Sequence, residues 1–214
     1  MEVLYLCQDY IIIRKPYGML SEKPADGAQR ANVPDAAAAV LEERGMKTEG
    51  VFCVHRLDAT TEGVMVYALT KKAAALLSGE IAAGRFRKTY LAWITADESL
   101  PREGQMRDFL FFDRRADKSF VVKPEKKGAK EARLSYTLGD AFLLDGELIT
   151  PASVQLETGR THQIRVQFAS RKSPLAGDGK YGSRVKRKGA SLWSVRLSFF
   201  WNGEEKVYTA DVHP

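Results

Sequence analysis

Apolar and polar residues alternate over many short segments of this chain, a pattern typical of strands rather than of long helices. Apolar residues predict one or two strands within residues 3–15, ending where Pro16 and Gly18 enforce a turn. Further strands are predicted at residues 51–54, 64–69, 86–94, 108–112, 118–123, 131–138, 142–149, 151–157, 192–200 and 205–210. An Asp-Gly pair in "LLDGELI" and an Asn-Gly pair in "WNGEE" indicate hairpin turns.

Helical spacing is confined to three segments of the chain. Thr70 is a predicted N-cap, and the apolar residues Ala74, Leu77 and Ile81 are predicted to lie on one face of the helix that follows. The three predicted helices cover residues 35–44, 71–83 and 161–171. Strands outnumber helices and do not alternate with them regularly. The pattern therefore predicts an α+β fold with a mixed, mostly antiparallel central sheet and flanking helices, not a Rossmann-like parallel sheet.

Length and composition narrow the class of protein. The chain has 214 residues, 44% of them hydrophobic, which suits one domain or two tightly joined lobes. Its longest apolar runs are far shorter than the roughly 20 residues that cross a bilayer, and the N-terminus carries no secretion signal. Two cysteines, Cys7 and Cys53, indicate a reduced pair rather than a disulfide framework. We therefore expect a cytoplasmic protein without a membrane partner.

Positive charge is unevenly distributed along the chain. Lys and Arg number 33 against 27 Asp and Glu, which gives a net charge of +6. The basic runs fall in the second half, at residues 114–118, 123–130, 171–172 and 184–189. Such runs are typical of solvated loops, and they also suit contact with a polyanion such as nucleic acid.

Several familiar catalytic signatures are missing from the sequence. The segment "GDGKYG" at 177–182 lacks the spacing of a Walker loop, and no GxGxxG, HExxH, CxxC or GxSxG pattern occurs. Three histidines and two cysteines do not favour a zinc site. An enzyme with this sequence is expected to use Asp, Tyr, Arg or His side chains and no metal or cofactor.

Four segments carry a resemblance to a known family. They are "RKPYGML" (14–20), "VHRLDATTEG" (54–63), "RKTYLAWI" (87–94) and, within 157–182, "ETGRTHQIRVQFA" followed by "SPLAGDGKYG". Their order and wording resemble the RluA family of pseudouridine synthases, which isomerise specific uridines in ribosomal or transfer RNA. The resemblance covers roughly residues 3–200 and implies a compact member: a single catalytic domain over 1–214, without an N-terminal S4 module.

The resemblance also implies catalytic residues. Asp58 matches the family's essential carboxylate, which could attack C1′ or C6 of the uridine or remove the 2′ proton. Tyr90 matches a residue that stacks on uracil and whose hydroxyl could assist deprotonation of C5. Arg165 matches the basic residue that pairs with the catalytic Asp. Taken alone, Asp58 could equally be a turn residue that bonds its own backbone.

Further residues are expected to bind the RNA substrate. In relatives the residue at Arg56 fills the space left by the flipped-out base, which suits a planar cation. The supporting positions could each contact the RNA backbone or brace the loop; they are His55, Thr61, Gly63, Arg160, His162 and Gln163. The expected partner is a structured stem-loop of ribosomal or transfer RNA, bound by a monomer.

The segment around Asp58 departs from the usual sequence motif of the family. Ala59, Thr60 and Glu62 replace an Arg, a variable residue and a Ser, which affects the expected target more than the activity. Two other functions remain open at this point. One is a catalytically idle RNA-binding descendant of the fold, and the other is an Asp-dependent hydrolase of N-glycosidic bonds.

Overall fold

The computed structural model describes residues 1–95 and 100–211, which form two compact units. The first unit comprises Met1–Lys88 and the C-terminal stretch from Ser194, and the second comprises Thr89–Trp193. The predicted α+β class is confirmed: within these described residues, three α-helices accompany strands whose pairs are predominantly antiparallel. None of the helices in the described part of the chain is long and apolar enough to span a bilayer.

Helices and strands do not alternate regularly along the chain. The strands are β1 (Glu2–Leu6), β2 (Tyr10–Lys15), β3 (Phe52–Cys53), β4 (Glu62–Ala68), β5 (Arg87–Thr95), β6 (Glu103–Asp113), β7 (Lys118–Val122), β8 (Lys130–Leu138), β9 (Phe142–Leu144), β10 (Glu147–Leu156), β11 (Leu192–Trp201) and β12 (Glu204–Thr209). The helices are α1 (Val33–Glu43), α2 (Lys71–Ala82) and α3 (Gln163–Ala169), and a short 3-10 turn covers Gly179–Tyr181.

The first unit is built on strands β1, β2, β4 and β11 in that order, with β3 on β4 and β12 on β11. Strand β2 lies between β1 and β4, and the register with β4 places Tyr10 opposite Ala68 and Lys15 opposite Gly63. Ile12 is fully buried there, as expected for a β-branched residue on a covered sheet. Burying one such side chain contributes about 1.5–3 kcal/mol, so this strand is a rigid support for the loops at its end.

Helices α1 and α2 of the first unit have side-chain caps. Helix α1 begins two residues earlier than predicted, because the side chain of Asn32 accepts a hydrogen bond from the Asp35 N–H at 2.9 Å. Thr70 is confirmed as the cap of α2. The apolar face of α2 is only partly covered: Leu77 is buried, but Ile81 is 38% exposed.

The second unit is built on strands β5, β10, β8, β6 and β7 in that order, with β9 on β10. Tyr90 of β5 lies opposite Val154 of β10. The single strand predicted at 142–149 is wrong, because the chain turns at Asp145 and Gly146, both with positive φ. The Asp-Gly turn signal located this hairpin correctly.

Helix α3 of the second unit is shorter than predicted and almost entirely buried. Its residues from Gln163 to Phe168 are all inaccessible to solvent or nearly so. It begins after His162, which has the left-handed conformation with φ of 54°. A non-glycine residue rarely adopts this conformation, so the start of α3 is set by its surroundings rather than by helix propensity.

Candidate active site

Asp58 lies in the loop between β3 and β4, and the main chain on both sides of it is held by the segment that follows β2. On one side, the buried Ser21 hydroxyl donates to the Leu57 carbonyl at 2.8 Å and accepts from the Leu57 N–H at 3.1 Å. On the other side, the Ala59 carbonyl accepts from the Gly18 N–H at 2.8 Å. The half-buried Asp58 therefore projects from a fixed stretch of backbone.

Lys15 is the buried cation beneath this loop. Its side chain has no exposed surface, and its Nζ donates to the carbonyls of Pro16, Met19 and Ala59 at 3.1, 2.8 and 3.1 Å. Burial lowers the pKa of Lys15 to about 8, and the nearby carboxylates of Glu62 and Asp58 partly offset this effect. One side chain thus ties the "RKPYGML" segment to the loop.

The loop ends at a close approach of two backbones. The Thr61 N–H donates to the Asp58 carbonyl at 3.0 Å, which closes a turn directly after Asp58. Gly63 follows with φ of +124°, and a Cβ there would lie 2.1 Å from the Ser194 carbonyl oxygen. Thr61 is buried, and Gly63 is required by both its conformation and its neighbour. Both positions therefore shape the loop.

His55 and Arg56 are adjacent in sequence and have opposite surroundings. The His55 ring is buried against Phe86, and its Nε2 accepts from the Val66 N–H at 3.2 Å. Desolvation holds the pKa of His55 well below its usual value, so the ring is neutral. This geometry favours the bracing role over RNA contact. The Arg56 side chain is 74% exposed and pairs with Glu22 at 3.0 Å.

In the second unit, Arg165 lies in the first turn of α3 and forms a bidentate ion pair with Asp178. Its Nε and Nη2 approach the two carboxylate oxygens at 2.6 and 2.7 Å. The side chains of Arg165 and Asp178 are only 8% and 1% exposed. The guanidinium also lies over the ring of Tyr181, 5.1 Å from its centroid. The position of this cation is therefore defined from two directions.

The turn before α3 is organised by Gln163. Its Oε1 accepts from the Thr158 hydroxyl at 2.8 Å and from the Arg160 N–H at 3.0 Å. Its Nε2 donates to the Arg133 carbonyl at 3.0 Å. The exposed Arg160 side chain donates from Nε to the Glu131 carbonyl at 2.8 Å. Gln163 is buried and braces the turn, whereas Arg160 is exposed at its surface.

Tyr90 and His162 complete the predicted residues of the second unit. Tyr90 lies in β5 and is 4% exposed. His162 is also buried, and its Nδ1 lies 3.0 Å from the Tyr181 hydroxyl. That hydroxyl accepts from the Ser119 N–H at 2.8 Å, so His162 belongs to the same buried network that carries Tyr181. The structure thus brings Arg160, His162, Gln163 and Arg165 together around one turn.

Four structural residues were missed by the sequence reasoning: Lys15, Ser21, Asp178 and Tyr181. Lys15, Asp178 and Tyr181 stand inside segments that carry the family resemblance, and this was the signal that could have found them. Ser21 follows such a segment directly and had no signal of its own. Their contacts run to main-chain atoms or to residues far along the chain.

Comparison with known proteins places the chain in a family. Residues 9–170 match the family model described as RNA pseudouridylate synthase. An uncharacterized RNA pseudouridine synthase of Chloroflexus aurantiacus is 36% identical over 174 residues, covering 79% of this chain and 51% of the relative. The ribosomal large subunit pseudouridine synthase D of Xanthomonas campestris is 33% identical over 200 residues, covering 89% and 55%. The chain spans about half the length of these two relatives.

Solved structures agree on the fold. Human RNA pseudouridylate synthase domain containing 1 aligns with a TM-score of 0.77 and 20% identity, over 99% of this chain and 83% of the human one. Human RNA pseudouridylate synthase domain containing 4 aligns with a TM-score of 0.76 and 21% identity, over 99% of this chain and 88% of the human one. Identity at this level supports the fold alone. Since the family model covers more than half of the sequence, the chain belongs to the RNA pseudouridylate synthase family.

Proposed function

We propose that this protein isomerises specific uridines in RNA to pseudouridine, with Asp58 as the catalytic carboxylate. The observation that supports this most strongly is the Asp58 loop itself. In a member of this family, a half-buried carboxylate stands between two residues whose backbones are held by Ser21, Gly18 and Lys15. Such pre-organisation suits a group that must meet one reacting atom in a fixed geometry.

The reaction exchanges a carbon–nitrogen bond for a carbon–carbon bond, and a carboxylate close to the sugar can assist this exchange. The N1–C1′ bond breaks, the base turns, and C5 bonds to C1′ while the C5 proton moves to N1. No atoms or electrons are gained or lost, so the reaction requires no redox partner. Asp58 attacks C1′ or C6, or removes the 2′ proton, and each role requires it to be ionised and close to the sugar.

Three other residues have proposed roles in this reaction. Tyr90 stacks on the detached uracil and assists removal of the C5 proton. Arg165 supplies a positive charge at a fixed position, because its ion pair with Asp178 holds the guanidinium in one orientation. Arg56, exposed on the same loop as Asp58, fills the space left by the flipped-out base.

We propose ribosomal RNA as the substrate class and the cytoplasm as the location. The Xanthomonas relative is named a ribosomal large subunit pseudouridine synthase. The net charge of +6 suits a phosphate-rich partner. The buried positions of His55, His162 and Gln163 support bracing roles, which leaves Arg56 and Arg160 as the exposed candidates for RNA contact.

Incubation with RNA from a host that lacks the protein, followed by chemical mapping of pseudouridine, tests the proposal. New sites should appear with the wild-type protein, and Asp58→Asn should lower the rate of their formation by at least about 10³-fold. Asp140→Asn is the matched control, because Asp140 is exposed and pairs only at the surface with Arg102.

Each competing function has its own outcome. RNA binding without modification would indicate an idle descendant of the fold. Free uracil or abasic sites would indicate a hydrolase of N-glycosidic bonds. Full activity of Asp58→Asn would contradict the proposed mechanism.

A further inference from the structure

The carboxylate of Asp178 is deeply buried and is paired with Arg165, a proposed catalytic residue. Its side chain is 1% exposed, and both of its oxygens bond the guanidinium of Arg165. It belongs to the "GDGKYG" segment, directly before the 3-10 turn. The sequence alone assigned no role to this Asp.

We propose that Asp178 is a positioning residue for the isomerisation: it sets the orientation of the Arg165 guanidinium. This inference rests on the proposed function, because it assigns a purpose to Arg165 only if Arg165 takes part in the reaction. Asp178 itself touches neither RNA nor the reacting atoms in this scheme.

Bidentate pairing fixes an arginine more completely than a single contact does. The arginine side chain is long and has many rotamers, but two parallel N–H···O bonds define both the plane of the guanidinium and its rotation within that plane. Nε and Nη2 of Arg165 are engaged by Asp178. The direction in which the third nitrogen, Nη1, points is thereby determined.

The same short turn also holds the face of the guanidinium. Tyr181 comes three residues after Asp178, and its ring lies under the Arg165 cation at 5.1 Å. The Tyr181 hydroxyl is bonded to His162 and to the main chain of Ser119, so the ring cannot swing away. Edge and face of one cation are thus held by the segment 178–181.

The backbone of Asp178 is held as firmly as its side chain. Its N–H donates to the Leu175 carbonyl at 3.0 Å, and its own carbonyl accepts from the N–H groups of Tyr181 and Ser183 at 3.0 and 3.1 Å. Because this backbone is held by hydrogen bonds, the carboxylate keeps its place and holds the Arg165 guanidinium in a fixed position. This property is needed for orientation and is not needed for a simple ion pair.

A second Arg–Asp pair, between Arg171 just after the C-terminal end of α3 and Asp108 of β6, provides a natural comparison. Arg171 bonds the two Asp108 oxygens at 2.9 and 3.3 Å, with side chains 30% and 14% exposed. Arg171 also donates to the Gln167 carbonyl and the Ser170 hydroxyl, so its fork is shared among several acceptors. Buried ion pairs seldom add stability over apolar replacements. The greater burial of the Arg165–Asp178 pair is therefore better explained by geometry than by stability.

The first test compares Asp178→Asn with Asp108→Asn in steady-state pseudouridine formation. Asp178→Asn is expected to lower kcat on the order of 10²-fold with KM for the RNA changed less than about 3-fold, since a misplaced catalytic group affects the chemical step. Asp108→Asn removes the strand β6 carboxylate that pairs with Arg171 just beyond α3, and it should keep kcat within about 2-fold. Equal losses of kcat in both variants would overturn the proposal.

A double-mutant cycle separates positioning from folding. If Asp178 acts through Arg165, then adding Asp178→Asn to the Arg165→Gln variant should lower the single-turnover rate constant by less than about 2-fold. The double variant also removes the buried cation that has lost its bidentate partner, so its melting temperature should recover relative to Asp178→Asn alone while its activity stays low. Activity that recovers together with stability would show a purely structural role and overturn the inference.

The two proposals fail in different ways. If the wild-type protein forms no pseudouridine in any cellular RNA, the proposed function fails and this inference with it. If the wild-type protein is active and Asp178→Asn is equally active, only the positioning role fails.

Discussion

The Asp58 loop of the first unit and the turn before α3 in the second unit are held in different ways. Around Asp58, the contacts run to main-chain atoms: the carbonyls of Leu57 and Ala59 receive Ser21, Gly18 and Lys15. Before α3, the amide side chain of Gln163 makes three hydrogen bonds, to Thr158, Arg160 and Arg133. One loop is shaped by its backbone and the other by a side chain inside its own motif.

This difference has a consequence for how each region tolerates change. A loop held through main-chain carbonyls depends on the residues outside it that donate to those carbonyls. It also depends on glycine positions, such as Gly63, where the neighbouring backbone leaves no room for a side chain. A turn held through one of its own side chains depends on that side chain. We therefore expect the most damaging substitution in the first unit to add an atom, and the corresponding one in the second unit to remove polar atoms.

The largest effect is expected for Gly63→Ala. The added Cβ would lie 2.1 Å from the Ser194 carbonyl oxygen and 2.6 Å from its nitrogen, and φ is +124°. Backbone must shift to relieve such contacts, so the free energy of unfolding should fall by about 4 kcal/mol or more. Thermal melts should show a loss of about 10 °C or more for a chain of this size.

Gly79→Ala is the control for this substitution. Gly79 lies in α2 with an ordinary helical φ, and a Cβ there meets nothing within 4 Å. The change should raise the free energy of unfolding by about 0.5–1 kcal/mol, because alanine favours a helix over glycine. If both alanine variants melt within about 2 °C of the wild type, the close approach of Gly63 to Ser194 is not a constraint.

A smaller effect is expected for Gln163→Met in the second unit. The substitution conserves volume and removes the bonds that the Gln163 amide makes with the Thr158 hydroxyl, the Arg160 N–H and the Arg133 carbonyl. Loss of these bonds should lower the free energy of unfolding by about 2–3 kcal/mol in urea titrations. Gln155→Met on the exposed face of β10 is the control and should change it by less than about 0.5 kcal/mol. Equal stability of the two variants would show that the turn is held by its backbone.

The smallest effect is a pH dependence that originates at Lys15. Its pKa is about 8 in the fold and has the ordinary value of 10.5 when unfolded, so between these values the unfolded chain binds more protons. The contribution of Lys15 to the free energy of unfolding therefore increases as pH rises through this window. Relative to Lys15→Met, the wild type should gain about 2 kcal/mol between pH 7 and pH 9.5 in urea unfolding. A flat difference between the two proteins over that range would show that Lys15 is not desolvated.

Part of the site could be read from the sequence. Asp58, Tyr90 and Arg165 were singled out because four segments resemble one family, and the structure places Asp58 on a braced loop and Arg165 in a buried ion pair. Their catalytic roles stay predictions. The resemblance covers the segments of Lys15 and Asp178 but gave neither residue a role, because a lysine that binds carbonyls has no distinguishing pattern in the sequence. A carboxylate gives no sign of which cation it meets.

The sequence by itself determined the short-range features of this protein. Alternating apolar residues located most strands, Asp-Gly and Asn-Gly pairs located two hairpin turns, and Thr70 marked the start of α2. These features follow from steric preferences and hydrogen bonds within a few residues, so they can be predicted from local patterns.

Tertiary structure alone decided which distant groups meet. It buried Lys15 among three carbonyls, gave His162 its left-handed conformation, brought Gly63 against Ser194 and paired Arg165 with Asp178. Each of these depends on atoms brought together by the packing of other elements. Such encounters follow from burial and topology, which no local pattern of residue types encodes.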